Sequence, residues 1–299
     1  MSPQAHTLGR VGVWLGNLGW APAAVERDVA AEVEELGYGA LWYSEAHNGK
    51  ESLTHGALLL AATRRVVIAS GIANIWVRDP MAMVAGANAI AEAHPGRFVL
   101  GLGVSHPPQV TPRGHSYGKP VATMRAYLEA MDAAEYTGPR PAAPLLRLLG
   151  ALRPAMLELA AALADGAHPY LVPVEHTRRA RSLLGPEKLL ATEQFVLLEQ
   201  DPGEARRLGR EAIAWYLTLP NYTDNLRWLG FAEDDFAGGG SDELVDALVA
   251  WGDEEAIRGR VVEHLEAGAD HVCIQPIGRG AGDLGVAQLR RLGPALLDL

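Results

Sequence analysis

The sequence predicts an α/β protein of the (β/α)8 barrel class. Short apolar, strand-like runs alternate with amphipathic helical segments along nearly the whole chain, and glycine-containing turns join them. Eight such runs can be counted, which favours a closed barrel over an open doubly wound sheet. The first run is not followed by a GxGxxG turn, which argues against a dinucleotide-binding fold. We therefore expect residues 1–299 to form one barrel domain.

The first unit shows how each element is predicted. The β-branched run at residues 11–15 ends in Gly16-Asn17, and apolar side chains then recur from Val25 to Leu36 at spacings of three and four residues, which indicates a helix with one apolar face. Gly37 ends this helix. Further along, Asp79 is an N-cap residue followed by a proline, which opens a helix that reaches residue 93.

The same pattern places the remaining elements. Strands are predicted at residues 11–15, 40–43, 66–75, 97–104, 145–149, 167–172, 194–199 and 271–277. Helices after the first are predicted at residues 80–93, 121–134, 154–164, 175–184, 204–217, 257–265 and 286–297. Residues 222–229 and 241–251, on either side of three consecutive glycines, form a small helical excursion before the last βα unit.

Composition and charge exclude several classes of protein. The chain of 299 residues has 26 Lys and Arg against 36 Asp and Glu, a formal charge of −10, and no long basic run, so nucleic acid is not an expected partner. No apolar stretch reaches the roughly 20 residues of a membrane helix, and the first ten residues do not resemble a signal peptide. The single cysteine, Cys273, excludes an intrachain disulfide and indicates a reducing compartment, so we expect a cytoplasmic protein.

The histidines raise the question of a metal hydrolase, because seven of the ten lie between His47 and His176. Neither an HxH pair on the first strand nor an HExxH helix is present, so no metal site is predicted. A serine hydrolase is also disfavoured, since there is no GxSxG turn, and Cys273 lies inside an apolar strand as a structural thiol.

Barrel enzymes carry their chemistry at the carboxyl ends of the strands. The candidate positions at these ends are Asn17, Glu45 to His47, Asn74, Trp76, Ser105, His106, Tyr170, Gln200 and Gln275. An imidazole titrates near neutral pH, so His106 and His47 are the candidates for moving a proton. Trp14, Trp42 and Trp76 are either walls for a planar ring system or core side chains.

Two segments have features of a phosphate site. Gly150 to Pro154 is a small-residue turn that leads straight into a helix, whose free N–H groups and dipole attract an anion, although such turns also serve as plain connectors. Thr177 and Arg178 lie at the start of the next predicted helix, where basic residues are unfavourable unless an anion is bound. The alternative for this second segment is a solvated helix face.

Three sequence blocks, at residues 35–42, 71–80 and 94–103, resemble the luciferase-like monooxygenase superfamily. They are most similar to its branch of oxidoreductases that use the deazaflavin coenzyme F-420, and residues 113–117, 164–170 and 268–272 extend the match. The resemblance implies a barrel with a flavin or deazaflavin at the strand ends, its ring in the barrel mouth and its phosphate near the fifth and sixth strands. A homodimer formed through helices is also expected.

Site residues carried over from the resemblance follow by position. Gly71-Ile72 falls at a bulge behind the ring, expected to be a non-prolyl cis peptide, and Ser105 and His106 fall beside the reacting edge. The expected cofactor-binding set is Gly71, Ile72, Asn74, Ser105, Gly150, Ala151, Tyr170, Thr177 and Arg178. Relatives have an acidic residue followed by histidine after the second strand, whereas here Glu45 is followed by Ala46, with His47 one position later.

These expectations lead to a functional hypothesis with two alternatives. The first is an oxidoreductase that transfers a hydride between C5 of coenzyme F-420 and a small organic substrate, with His106, His47 and Glu45 as the catalytic candidates. The second is an FMN-dependent monooxygenase on the same fold. The third, kept open by Ala46, is a non-catalytic barrel that binds a flavin or nothing.

Overall fold

The computed structural model describes residues 8–280 and 282–299. Ten parallel strands are found, which we number β1 to β10. Their bounds are Val11–Trp14, Ala40–Tyr43, Val67–Ser70, Ala73–Asn74, Phe98–Gly103, Leu146–Leu149, Gly166–Ala167, Leu189–Leu198, Val249–Gly252 and His271–Pro276. Eight of them close into a barrel in the order β10-β1-β2-β3-β5-β6-β7-β8, because β8 pairs with β10. The predicted (β/α)8 barrel is confirmed.

Twelve α-helices, numbered α1 to α12, follow in the described part of the chain. Their bounds are Ala23–Leu36, Ser52–Ala61, Pro80–Ala93, Pro107–Val110, Pro120–Ala133, Pro154–Leu163, Val174–Leu184, Pro202–Ile213, Pro220–Leu229, Asp242–Leu248, Glu254–Glu266 and Val286–Leu296. Helix α2 was not predicted from the sequence. Its N-terminus is capped by Glu51, whose side chain accepts hydrogen bonds from the N–H groups of Leu53 and Thr54.

Several predicted boundaries were wrong. The predicted strand at 66–75 is interrupted between β3 and β4 by the Gly71–Ile72 peptide, which is cis. The predicted strand at 167–172 is only the two residues of β7, and the backbone turns at Leu171, whose φ is 56°. The predicted seventh strand begins five residues earlier, at Leu189. The helix predicted at 241–251 stops at Leu248, and the apolar run after it becomes β9, which extends the sheet beside β8.

The barrel interior is filled by large side chains below the strand ends. The Trp42 indole donates from Nε1 to Nε2 of His271 at 3.1 Å, and the Trp42 ring stacks on His168 with 4.2 Å between centroids. A Cβ at Gly12 would lie 2.6 Å from the His271 ring, so a glycine is needed there. Trp42 is therefore a core residue, the second of the two predicted readings. These packed side chains close the barrel interior below its open end.

None of the helices in residues 8–280 and 282–299 combines the length and apolar character required to cross a bilayer.

Cys273 is buried with a free thiol inside the barrel, where burial raises its pKa. The thiol donates to the carbonyl of Thr192 at 3.4 Å. Its structural position agrees with the sequence prediction, and a location in the cytoplasm stays a prediction.

Candidate active site

A cavity of about 760 Å³ opens at the carboxyl ends of the barrel strands. Most of the residues predicted to form the site contribute to its walls. Those residues are Asn17, Glu45, Gly71, Ile72, Ser105, His106, Gly150, Ala151, Tyr170 and Gln275. The structure does not bring Asn74, Trp76, His47, Thr177, Arg178 or Gln200 to this cavity.

Ile72 is held in the cavity wall by neighbouring glycines. A Cβ at Gly103 would lie 2.5 Å from the Ile72 side chain, and a Cβ at Gly150 would lie 3.3 Å from it. At Gly101 a Cβ would collide with the carbonyl oxygen of Ser70 at 2.0 Å. The glycines of β5 and the turn after β6 therefore leave the space that the side chain of Ile72 requires.

His106 lies at the end of β5, directly after Ser105, whose φ is 57°. Its ring is 5.4 Å from Tyr222 and 6.3 Å from Trp215, measured between centroids. This apolar burial lowers the pKa of His106 to about 4, so the imidazole is neutral across the physiological range. The prediction that His106 titrates near neutral pH was wrong, because the aromatic rings around it exclude water from the charged form.

Glu45 lines the cavity, but its carboxylate is already occupied. It accepts hydrogen bonds from the backbone N–H groups of Ser52 at 2.9 Å and Asn74 at 2.7 Å, and it pairs with Arg78. Asn74 in turn accepts from the N–H of Trp76 and lies behind the wall. These contacts make Glu45 a positioning residue that ties β2, β4 and α2 together.

His47 lies outside the cavity on an exposed loop. Its Nδ1 is 2.6 Å from Oε1 of Gln109, and its backbone N–H donates to the same oxygen. Gln109 is the residue of this pair that lines the cavity. The one-residue displacement of the histidine, visible in the sequence, thus turns the side chain away from the site.

One end of the cavity has the features of an anion site. Helix α6 begins after Arg153 with no side chain capping its N-terminus, and the turn at Ala151 and Leu152 lines the cavity. Gly150 donates its N–H to the carbonyl of Leu102 at 2.8 Å, which fixes the turn against β5. The Arg153 guanidinium lies 3.4 Å from the carboxylate of Asp224 on the same rim. The open helix end and the arginine together suit a phosphate group.

Thr177 and Arg178 are not part of this end. The Thr177 hydroxyl is 2.8 Å from Nδ1 of His264, and Nε2 of that ring is 2.8 Å from Oε1 of Gln194. The amide of Gln194 donates to the Leu248 carbonyl, so its Oε1 accepts, His264 carries its proton on Nε2, and Thr177 donates to Nδ1. Arg178 is exposed and paired with Glu175. The two residues face a buried network and solvent, so the predicted phosphate site is corrected to exclude them.

An aromatic wall that was not predicted from the sequence lines part of the cavity. We define it as Trp215, Tyr216, Tyr222 and Trp228, all in or beside the excursion before the last unit, and all lining the cavity. Tyr216 joins the wall to Tyr170 through a 2.7 Å contact between the two hydroxyls. The sequence signal that could have indicated this wall is the presence of four large aromatic residues within fourteen consecutive positions, in a segment that follows the end of a strand.

The cavity floor holds buried polar atoms that have no hydrogen-bond partner among the described residues. They are Nε1 of Trp14, Nε2 of His168 and Oε1 of Gln275. His168 has its Nδ1 2.9 Å from the carbonyl of Ala191, and burial lowers its pKa to about 4, so Nδ1 carries the proton and Nε2 is a free acceptor. Nearby, burial raises the pKa of Glu193 to about 8. The floor therefore offers a neutral donor and neutral acceptors.

Within residues 8–280 and 282–299, no three His, Cys, Asp or Glu side chains converge in a way that suits a metal ion. The cavity is lined mainly by neutral hydrogen-bonding groups and aromatic rings, with the uncapped start of α6 and Arg153 at one end.

The fold and the site together define a (β/α)8 barrel enzyme with its cavity at the carboxyl ends of the strands. Residues 5–271 match the family model described as luciferase-like monooxygenase. The chain belongs to this luciferase-like monooxygenase family, as its sequence blocks predicted.

Two curated proteins are similar to this chain in sequence. A Mycobacterium tuberculosis protein, provisionally named a coenzyme F-420-dependent oxidoreductase, is 30% identical over 121 residues, which are 40% of this chain and 35% of that protein. The chain therefore matches only about a third of that relative's length. The 5,10-methylenetetrahydromethanopterin reductase of Methanolobus tindarius is 21% identical over 287 residues, covering 82% of this chain and 88% of that enzyme.

Solved structures agree on the fold. The coenzyme F-420-dependent tetrahydromethanopterin reductase of Methanopyrus kandleri superposes with a TM-score of 0.75 at 15% identity, covering 97% of this chain and 99% of that one. The oxygenating component of the 3,6-diketocamphane monooxygenase from Pseudomonas putida, in complex with FMN, superposes with a TM-score of 0.68 at 15% identity, covering 97% and 99%. At such identities the likeness shows the fold alone.

Proposed function

We propose that this enzyme is a coenzyme F-420-dependent oxidoreductase acting on a small organic substrate. The observation that carries the proposal is a ring-sized cavity at the strand ends with an uncapped helix N-terminus and Arg153 at one end. The name of the Mycobacterium tuberculosis relative supports it. When bound, the deazaflavin would supply hydride chemistry.

The residues present fit such a group. Ala151, Leu152 and Arg153 suit its phosphate, and the unpartnered Trp14 Nε1 and His168 Nε2 at the floor suit a planar heterocycle that carries both acceptors and donors. His106 then provides a neutral imidazole on the wall, where it can hold a substrate oxygen without bringing a charge into an apolar site.

An FMN-dependent monooxygenase is the second candidate, favoured by the likeness to a barrel solved with FMN. Fluorescence titration of the purified protein with coenzyme F-420 and with FMN separates the two. We expect tight binding of coenzyme F-420 and none of FMN. The reverse result would establish the second candidate, and binding of neither would support the non-catalytic alternative.

Arg153→Ala is expected to weaken binding of coenzyme F-420 by about 1.5–3 kcal/mol, the range for a hydrogen bond to a charged group. Arg178→Ala is the matched control, because Arg178 is exposed and paired with Glu175 away from the cavity. Its dissociation constant should equal that of the wild type. If both variants bind the coenzyme like the wild type, the phosphate lies elsewhere.

The protein is proposed to be a homodimer that pairs through α2 and α3, which pack side by side. Leu58 and Met81 are 43% and 64% exposed on these helices, and α2 has no Asp, Glu, Lys or Arg. The double variant Leu58→Glu, Met81→Glu is expected to be monomeric by light scattering, since two buried charges per subunit would oppose association. Val25→Glu, a change at an equally exposed position on α1, should stay dimeric. A dimeric double variant would refute pairing through this surface.

A further inference from the structure

Three rings of the aromatic wall, those of Trp215, Tyr216 and Tyr222, form one connected cluster with Tyr170. Tyr216 lies 5.0 Å from Trp215, 5.2 Å from Tyr222 and 5.4 Å from Tyr170, measured between centroids. Such tilted and edge-on contacts fix each ring against its neighbours. The cluster therefore presents a preformed apolar surface of ring faces and edges, against which a conjugated ring can pack with little ordering of side chains.

The cavity is almost free of unpaired charge. Its charged lining residues in the described part of the chain are Glu45, Arg153 and Asp224. Glu45 pairs with Arg78 behind the wall, and Arg153 and Asp224 face each other at the proposed phosphate end. A charged substrate placed on the aromatic wall would lose its hydration without gaining a partner, so the wall selects neutral molecules.

Two neutral polar groups interrupt this surface. The Tyr222 ring is 5.4 Å from the His106 ring, and neither side chain forms a hydrogen bond with another described residue. Tyr170 and Tyr216, in contrast, form a hydrogen bond with each other through their hydroxyl groups. Burial keeps both free groups neutral, since it lowers the pKa of His106 to about 4 and raises that of Tyr222. A ligand with no acceptor would leave the Tyr222 hydroxyl without a partner.

We propose that the substrate is an uncharged, flat, conjugated carbonyl compound that packs on Trp215 and Tyr216, with its oxygen accepting a hydrogen bond from Tyr222 beside His106. This inference rests on the proposed oxidoreductase function, and it names the substrate class of the same cavity. Tyr222 is the specificity residue in this arrangement, because it distinguishes a carbonyl group from a hydrocarbon of the same shape.

Three naphthalene probes test the proposal through quenching of the protein's tryptophan fluorescence. They are 2-acetylnaphthalene, its hydrocarbon counterpart 2-ethylnaphthalene, and the anion 2-naphthoate. The wild type is expected to bind the ketone roughly 3- to 10-fold more tightly than the hydrocarbon, the range for one neutral hydrogen bond, and to bind the anion most weakly.

Tyr222→Phe should abolish the preference for the ketone while leaving the dissociation constant of the hydrocarbon unchanged. Trp215→Leu, a change at a side chain that is 45% exposed, should weaken both neutral probes alike. Tyr136→Phe is the matched control, because Tyr136 lies outside the cavity lining, and it should bind all three probes like the wild type. Equal binding of ketone and hydrocarbon by the wild type, or binding of the anion as tight as the ketone, would overturn the proposal.

Titration of coenzyme F-420 into the same variants separates this inference from the proposed function. We expect Tyr222→Phe and Trp215→Leu to bind the coenzyme like the wild type. If they lose coenzyme and ketone affinity equally, the wall belongs to the cofactor and the inference is wrong. If the wild type binds no coenzyme but keeps the Tyr222-dependent ketone preference, the proposed function fails while the substrate class stands.

Discussion

Acidification from about pH 6.5 to about pH 5 is expected to lower the free energy of unfolding by several kcal/mol. Burial lowers the pKa of His106, His168, His176 and His271 to about 4 and that of His264 to about 3. In the unfolded chain these rings titrate near their ordinary pKa of about 6.5. Below that pH the unfolded state binds more protons than the folded state, so stability falls as the pH falls, by up to about 1.4 kcal/mol per histidine per pH unit.

Glu193 acts in the opposite direction within the same range. Burial raises its pKa to about 8, so between about pH 4.5 and about pH 8 the folded state keeps a proton that the unfolded state has lost, and acidification relieves this penalty. The five imidazoles together outweigh the one carboxyl, so the folded state loses stability in acid. Glu193→Gln removes the opposing group and should therefore steepen the fall.

Urea unfolding at several pH values measures both effects. Gln in place of Glu193 retains an acceptor for the Leu171 N–H, so the variant is expected to fold. His115→Gln, a change at an exposed ring, is the control and should follow the wild-type pH dependence. A free energy of unfolding that stays constant between about pH 6.5 and about pH 5 would show that the five rings are not buried as described.

The barrel could be predicted because its signal is repeated, whereas single elements depended on context. Helix α2 was missed because Ser52–Ala61 has no charged residue and hence no polar face to reveal a helical period. The apolar run at Val249–Gly252 reads as the end of a helix, and only pairing with β8 makes it a strand. The strand predicted to reach residue 172 ends early because Glu193 accepts the N–H of Leu171 and holds the backbone in a turn.

The site residues also divide into those that local sequence could predict and those that depend on contacts with distant parts of the chain. The turn before α6 has a local cause, so Gly150 and Ala151 could be predicted from their own sequence, whereas Gly71 was placed only through the resemblance to the luciferase-like family. All three residues line the cavity. Thr177 could not be placed, because the side chain that turns it inward, His264, lies 87 residues away in sequence. For the same reason the neutral state of His106 was invisible, since it follows from contact with Trp215 and Tyr222 on a distant excursion.

His106→Phe is expected to lower kcat by about 10²–10³-fold, the usual loss when one positioned hydrogen-bonding group is removed from a reacting oxygen. The phenyl ring keeps the packing against Tyr222 and Trp215, so the dissociation constant of the coenzyme should stay near the wild-type value. Because burial lowers the pKa of His106 to about 4, the wild-type rate should show no histidine inflection between about pH 6 and about pH 8.

His47→Gln is the matched control for this prediction, because His47 is exposed and lies outside the cavity, which its partner Gln109 lines. Steady-state kinetics with a carbonyl compound that the wild type turns over should give the same kcat for His47→Gln as for the wild type. If His106→Phe keeps full turnover while His47→Gln loses it, the proton-handling group belongs to the loop after β2. The ordinary pKa of histidine is about 6.5. A wild-type inflection near that pH, absent from His106→Phe, would show instead that the His106 ring becomes charged during turnover. That result would contradict its burial among the aromatic side chains.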